Sequence, residues 1–276
     1  MKVFGLFLAL ILPLATYAQT VAKLGASLTE ISLDNLDLVS FDTKGQLFIS
    51  NTSGDIYLFS PSGKQLNLFS PSRQGRLNQL EAAWTVNIFS FSVDLQQYRI
   101  LDRFLKTLAE DDFIRSDVSL AKAATLGNNN VLWVWDESDL SLKSIDYRRN
   151  LVIQSQPLNL VLDTDNLEVT EIREFKNRLF MNVPDTGIFI FDNQANLMRK
   201  INLTGIARLC YYKDHLLWLD GNRLRAFSLS SDEISTLAQL DDSEASYLQV
   251  GQEELAIVSK DKLKLFSTPL WLKSLK

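Results

Sequence analysis

Six polar or ionisable residues, Asp37, Glu81, Lys122, Glu171, Arg208 and Tyr247, stand at similar places in short segments that begin successive apolar hairpins. Any chemistry in this chain has to be built from groups of this kind. Carboxylates set beside a lysine and an arginine can neutralise one another, or can hold a small polar ligand or a peptide terminus. A divalent cation would need Asp37, Glu81 and Glu171 together, but Lys122 and Arg208 fall in the same set and would repel it. The six are therefore binding candidates, with no catalytic residue and no metal ligand assigned, and the sequence calls for no cofactor. His215 is the only histidine, in the turn Lys213-Asp214-His215, which limits both zinc sites and Ser-His-Asp triads. Asp163-Thr164-Asp165-Asn166 begins like a calcium loop, but Glu168 occupies the place of the turn glycine. There is no Gly-x-Ser-x-Gly elbow, phosphate-cradling glycine loop or dinucleotide fingerprint.

What positions these residues is a repeat. Gly187-Ile188-Phe189-Ile190-Phe191-Asp192 has counterparts ending at Phe59, Leu101, Ile145, Phe227 and Phe266, at intervals of roughly 40 residues. The pieces between are short and apolar, separated by Gly, Pro, Asn and Ser, the residues that hairpin turns require. In the second segment of the repeats, Leu47 and Ile49, Leu132 and Val134, Leu179 and Met181, and Leu217 and Leu219 share one face by alternation. Phe48, Trp133, Trp135, Phe180 and Trp218 share the other. Both faces must be covered, which excludes a one-sided sheet. The pattern predicts an all-β chain, a six-bladed β-propeller of four-stranded antiparallel blades. The sixth repeat has only three segments, so a strand from within 21–33 is expected to close the ring, with Trp271 and Leu272 as competitors. The outer strand of blade 2 is the obscure one, because 104–108 reads equally as a helical turn. Two long connections are expected, at 107–120 and 155–168.

The N-terminus reads as a secretory signal. Lys2 precedes an apolar run from Val3 to Leu14, and Thr16-Tyr17-Ala18 places small residues for cleavage before Gln19. The run is short against the roughly 20 residues of a bilayer span. Residues 1–18 are thus expected to be removed, leaving 19–276 as one propeller domain, exported to a periplasm or extracellular space and soluble there, with no membrane span. The net charge of −5, without a basic cluster, argues against nucleic acid as a partner. Cys210 is the only cysteine, so no internal disulfide can form, and its apolar surroundings suggest a buried, inert thiol.

Gly45-Gln46-Leu47-Phe48-Ile49-Ser50 followed by Ser53-Gly54-Asp55-Ile56-Tyr57-Leu58-Phe59 resembles the repeat of NHL-type six-bladed propellers. The run from Asn130 to Asp136 with Leu142 to Asp146, and that from Arg178 to Asn182 with Gly187 to Asp192, look like the same unit. The chain is also similar to uncharacterised secreted propellers of Bacteroidota-type bacteria. NHL-type propellers bind proteins, peptides or RNA, so the resemblance implies a binding role in general terms. The expectation is a secreted, non-catalytic, protein-binding scaffold, monomeric alone, with an envelope protein as partner. The alternatives are a metal-dependent, lactonase-like hydrolase with its site in the central channel, and a sugar- or peptide-binding protein.

Overall fold

The computed structural model describes residues 22–82, 86–162 and 167–275. The proposed signal peptide and the calcium-like run 163–166 lie outside them.

Six sheets follow one another around a ring. Blade 1 comprises Leu36–Phe41, Leu47–Asn51, Ile56–Phe59 and Gln65–Phe69. Blade 2 comprises Gln79–Glu81, Asn87–Ser92, Gln97–Asp102 and Thr107–Asp112. Blade 3 runs from Ala121–Leu126 through Val131–Asp136 and Ser141–Asp146 to Leu151–Pro157, and blade 4 from Glu171–Phe175 through Arg178–Val183 and Gly187–Phe191 to Leu197–Ile201. Blade 5 holds Cys210–Tyr212, His215–Asp220, Arg223–Ser228 and Ile234–Gln239. Blade 6 holds Tyr247–Val250, Glu254–Ser259 and Lys262–Ser267, and its outer strand is Thr29–Ser32 from the other end of the chain. That strand pairs antiparallel with the third, Ile31 opposite Leu263. The ring is therefore closed by the N-terminal segment, as the missing fourth strand required. Ala22–Lys23 goes further and lies parallel to the outer strand of blade 5. Leu270–Lys273 is a helical turn instead of a strand; it buries Leu272 completely against blades 5 and 6.

The turns are set by aspartates at the ends of the third strands and at blade 1's inner strand. Asp192 Oδ1 accepts the backbone N–H of Gln194 at 2.8 Å and of Asn196 at 2.9 Å. Asp102 does the same for Phe104 and Lys106, and Asp42 for Lys44 and Gln46. A short carboxylate that satisfies two turn amides fixes where a strand stops. Gly187 is required for a different reason. Its φ is +130°, and a Cβ there would meet the carbonyl oxygen of Ile201 at 2.4 Å.

Among the described residues the hydrophobic core falls into six clusters, each shared by two neighbouring blades. Phe48, Ile56 and Leu58 of blade 1 pack on Leu80, Ile88 and Leu101 of blade 2. Leu47 and Ile49, on the other face of the same strand as Phe48, pack on Ala256, Val258 and Leu265 of blade 6. The two-sided alternation thus buries each sheet against both neighbours, and a blade has no core of its own.

Two expectations change. The outer strand of blade 2 is Thr107–Asp112, not 104–108: Leu105 has φ +68° and belongs to the turn, where Asp102 holds Phe104 and Lys106. The connection expected over 107–120 accordingly shrinks to 113–120. It is pinned by Asp136, which accepts the N–H of Ser119 at 3.0 Å and of Leu120 at 3.1 Å. The blade 3 strand likewise runs on to Pro157, taking residues from the second long connection.

Candidate binding channel

The inner strands all run in one direction along the axis, so their starts gather at one mouth of the channel and their ends at the other. The six candidates divide between the first mouth and the interior.

At the first mouth, a cavity of about 360 Å³ is lined by Arg76, Asn78, Lys122, Thr170 and Arg208, among others. Arg208 Nη1 donates to the carbonyl oxygen of Asn78 at 2.8 Å. Asp37 accepts two bonds from Arg76, at 2.8 and 2.9 Å, a fork that holds both groups in place. The Tyr247 hydroxyl donates to the Asp37 carbonyl oxygen at 2.6 Å. Lys122, in the same lining, pairs with Glu137 at 3.2 Å.

Glu81 and Glu171 lie deeper and are buried. Thr125 Oγ1 lies 2.8 and 2.9 Å from the two oxygens of Glu81, to which it donates, and Gln79 Nε2 donates to Oε1. Burial pushes the Glu81 carboxyl up to about 7, against the pull of Arg173's charge and the two hydrogen bonds; Glu171 nearby adds to the rise. Glu171 Oε2 accepts the N–H of Leu209 at 2.8 Å, while Arg173 Nη1 donates to the Leu209 carbonyl at 2.6 Å. Blade 4 thereby clamps both backbone groups of the residue that leads into the inner strand of blade 5. Gln249 of blade 6 reaches the same carbonyl at 3.4 Å.

At the second mouth the inner strands end around a cavity of about 300 Å³ that takes in Arg173, Phe175, Tyr211 and Gln249. Cys210, one residue before Tyr211, is buried, and burial pushes its thiol up to about 12. It is a core side chain, as its surroundings in the sequence suggested. His215 is half-buried at the start of its strand, and burial lowers its pKa.

Thr125, Arg173, Gln79, Tyr211 and Gln249 were missed by sequence reasoning. A signal was present: Gln79 and Glu81, Glu171 and Arg173, and Tyr247 and Gln249 are pairs two apart, and alternate residues of a strand share a face. Among the described residues, no three of His, Cys, Asp and Glu come together as a metal-ligand group. The channel carboxylates instead accept hydrogen bonds from neighbouring blades.

No protein-family model matches the chain, and no curated protein matches it. Solved structures do. The WD40 domain of Pan2 from Neurospora crassa is similar over 90% of this chain and 98% of its own, at 10% identity and a TM-score of 0.63. The β-propeller domain of Cps50 (Swd1) from Myceliophteria thermophila covers 87% and 98%, at 12% identity and a TM-score of 0.62. Virginiamycin B lyase from Staphylococcus aureus covers 86% and 98%, at 12% identity and a TM-score of 0.58. At these identities the likeness shows the β-propeller fold alone.

Proposed function

We propose that this chain is an exported, non-catalytic propeller of NHL-like repeats that holds a protein partner in the cell envelope. The observation that carries the reading is where its exposed apolar side chains lie. Of the four most exposed large ones among the described residues, Leu270 (85%), Val86 (78%) and Phe104 (61%) belong to connections on the face where the inner strands end. Val86 links the first and second strands of blade 2, Phe104 links its third and fourth, and Leu270 follows the third strand of blade 6. The fourth, Ile114 (68%), is on the opposite face. Large apolar side chains held in water on one face of a rigid ring suit a partner surface. The channel carboxylates support the same reading, since Asp37, Glu81 and Glu171 accept hydrogen bonds from neighbouring segments and fix the ring. Among the described residues no helix is long and apolar enough to cross a membrane. The test is affinity capture of the tagged mature protein from its own envelope, beside a variant carrying Val86→Ser, Phe104→Ser and Leu270→Ser. A partner recovered by the parent and lost by the variant supports the proposal; equal recovery by both, or none by either, contradicts it.

A further inference from the structure

The second mouth holds donors without acceptors. Arg173 is 6% exposed, and among the described residues its guanidinium makes one hydrogen bond, to the Leu209 carbonyl. A guanidinium carries five N–H donors in a planar fork. Tyr211 is 9% exposed, and its hydroxyl is buried with no partner among the described residues. Its ring cannot swing to find one. It is stacked on Phe175 with centroids 4.7 Å apart and tilted against Phe180 at 4.8 Å. Arg173 and Tyr211 line the same cavity of about 300 Å³.

The carboxylates nearby each have an oxygen engaged within the ring. Asp42, on the rim, gives Oδ1 to the amides of Lys44 and Gln46 in its own turn. Glu171 takes the Leu209 amide, and Glu81 takes Thr125 and Gln79. Lys176 and Lys213 add positive charge to a lining whose one acid is Asp42. Lys176 leans on Asp214 at 3.5 Å, and Lys213 donates to the Leu275 carbonyl at 2.7 Å. A buried donor left unsatisfied is unfavourable, so a site of this kind favours a ligand that brings acceptors. A planar fork and a hydroxyl beside an aromatic wall match a carboxylate attached to an apolar group. The two glutamates behind Arg173 disfavour a dianion such as phosphate. The volume is at the small end of ligand cavities and suits a group of about amino-acid size.

We propose that the second mouth binds a carboxylate, gripped by the Arg173 guanidinium and the Tyr211 hydroxyl, with the attached apolar group against Phe175 and against Phe41, which lines the same cavity. The inference goes beyond the platform reading and does not depend on it, because the serine variant above leaves Arg173 and Tyr211 intact.

Calorimetric titration of the mature protein tests it, with phenylacetate, N-acetylphenylalanine, N-acetylphenylalanine amide, and a pentapeptide ending in phenylalanine as acid and as amide. Acids are expected to bind at least about tenfold more tightly than their amides, which lack the charge. Tyr211→Phe removes only an unpartnered hydroxyl. It should leave the melting temperature unchanged while weakening acid binding about tenfold. Arg173→Met should abolish binding. Tight binding of the small acids alone assigns the site to free organic acids, and binding of the pentapeptide acid as well assigns it to peptide C-termini. The proposal is overturned if no acid binds at millimolar concentration, if amides bind as tightly as acids, or if Tyr211→Phe binds acids as the parent does.

Discussion

Arg208 reaches across the channel from the segment leading into blade 5 and donates to the carbonyl oxygen of Asn78, beside blade 2, at 2.8 Å. Blades 2 and 5 face each other in a ring of six, so this bond ties opposite sides that share no hydrophobic cluster. A hydrogen bond from a charged donor contributes about 1.5–3 kcal/mol. Arg208→Ala should lower the free energy of urea unfolding by an amount in that range, and Arg208→Lys by less. A change within error for Arg208→Ala would show that the ring is held by its blade contacts alone.

Glu81 links the channel to pH. Its unfolded form loses a proton near 4.5 and its buried native form near about 7. Between those values the native state holds a proton that the unfolded state has released. Stability is therefore full below about pH 4.5, falls as pH rises to about 7, and levels off above. The total is on the order of 3 kcal/mol. Glu81→Gln keeps the acceptor for Thr125 and has no proton to lose. The difference between the two proteins in urea unfolding at pH 5, 6, 7 and 8 isolates this group from the other carboxylates. Glu81→Gln should gain on the parent as pH rises, and parallel curves would contradict the assignment.

Closure rests on Ile31. This residue of the N-terminal strand is 5% exposed and packs among Leu36, Val39 and Phe59 of blade 1 and Leu263 and Leu265 of blade 6. Ile31→Ala should cost about 2–5 kcal/mol, the range for a large-to-small change in a core. The exposed neighbour Glu30→Ala should cost little, since its pair with Lys262 is on the surface. Similar losses for both would mean that the strand is only loosely docked.

Asp136 anchors the connection between blades 2 and 3. Its side chain is fully buried and accepts Lys143 Nζ at 2.7 Å, Ser138 Oγ at 2.7 Å and the amides of Ser119 and Leu120. Burial alone would raise its pKa, but these bonds outweigh it and hold the carboxyl near about 2. Its contribution is thus present above about pH 4 and is lost as pH falls towards 2. Asp136→Ala leaves Lys143 with Asp139 at 2.8 Å and the Asp117 carbonyl at 3.1 Å but removes its buried partner, and should cost on the order of 3 kcal/mol. Limited proteolysis should then cut within 113–120, whereas an uncut loop and parental stability would contradict the anchor.

The blades were legible because Phe48 and Leu47, or Trp133 and Val134, alternate without a polar face, and only stacked sheets bury both sides. The outer strand Thr107–Asp112 was not legible. Its residues are exposed or half-buried, and its acidic run Glu110-Asp111-Asp112 carries no apolar period. Of the channel candidates, Asp37, Arg208 and Tyr247 meet near one mouth, while Glu81 and Glu171 are buried and Lys122 pairs with Glu137. Strand ends explain the scatter. In the inner strand of blade 5 only Cys210–Tyr212 pairs. The preceding residues give their backbone groups to the channel instead: Ile206 accepts from Asn182 and Leu209 is held by Glu171 and Arg173. The orphaned hydroxyl of Tyr211 was not legible either, because its surroundings come from another blade.

Hydrogen–deuterium exchange on the protein with and without its captured partner tests the central claim most directly. The account predicts slowed exchange in the segments carrying Val86, Phe104 and Leu270, with the opposite mouth at 76–78 and 206–208 unchanged. Protection confined to that opposite mouth and to Ile114, or no protection at any segment, would contradict it.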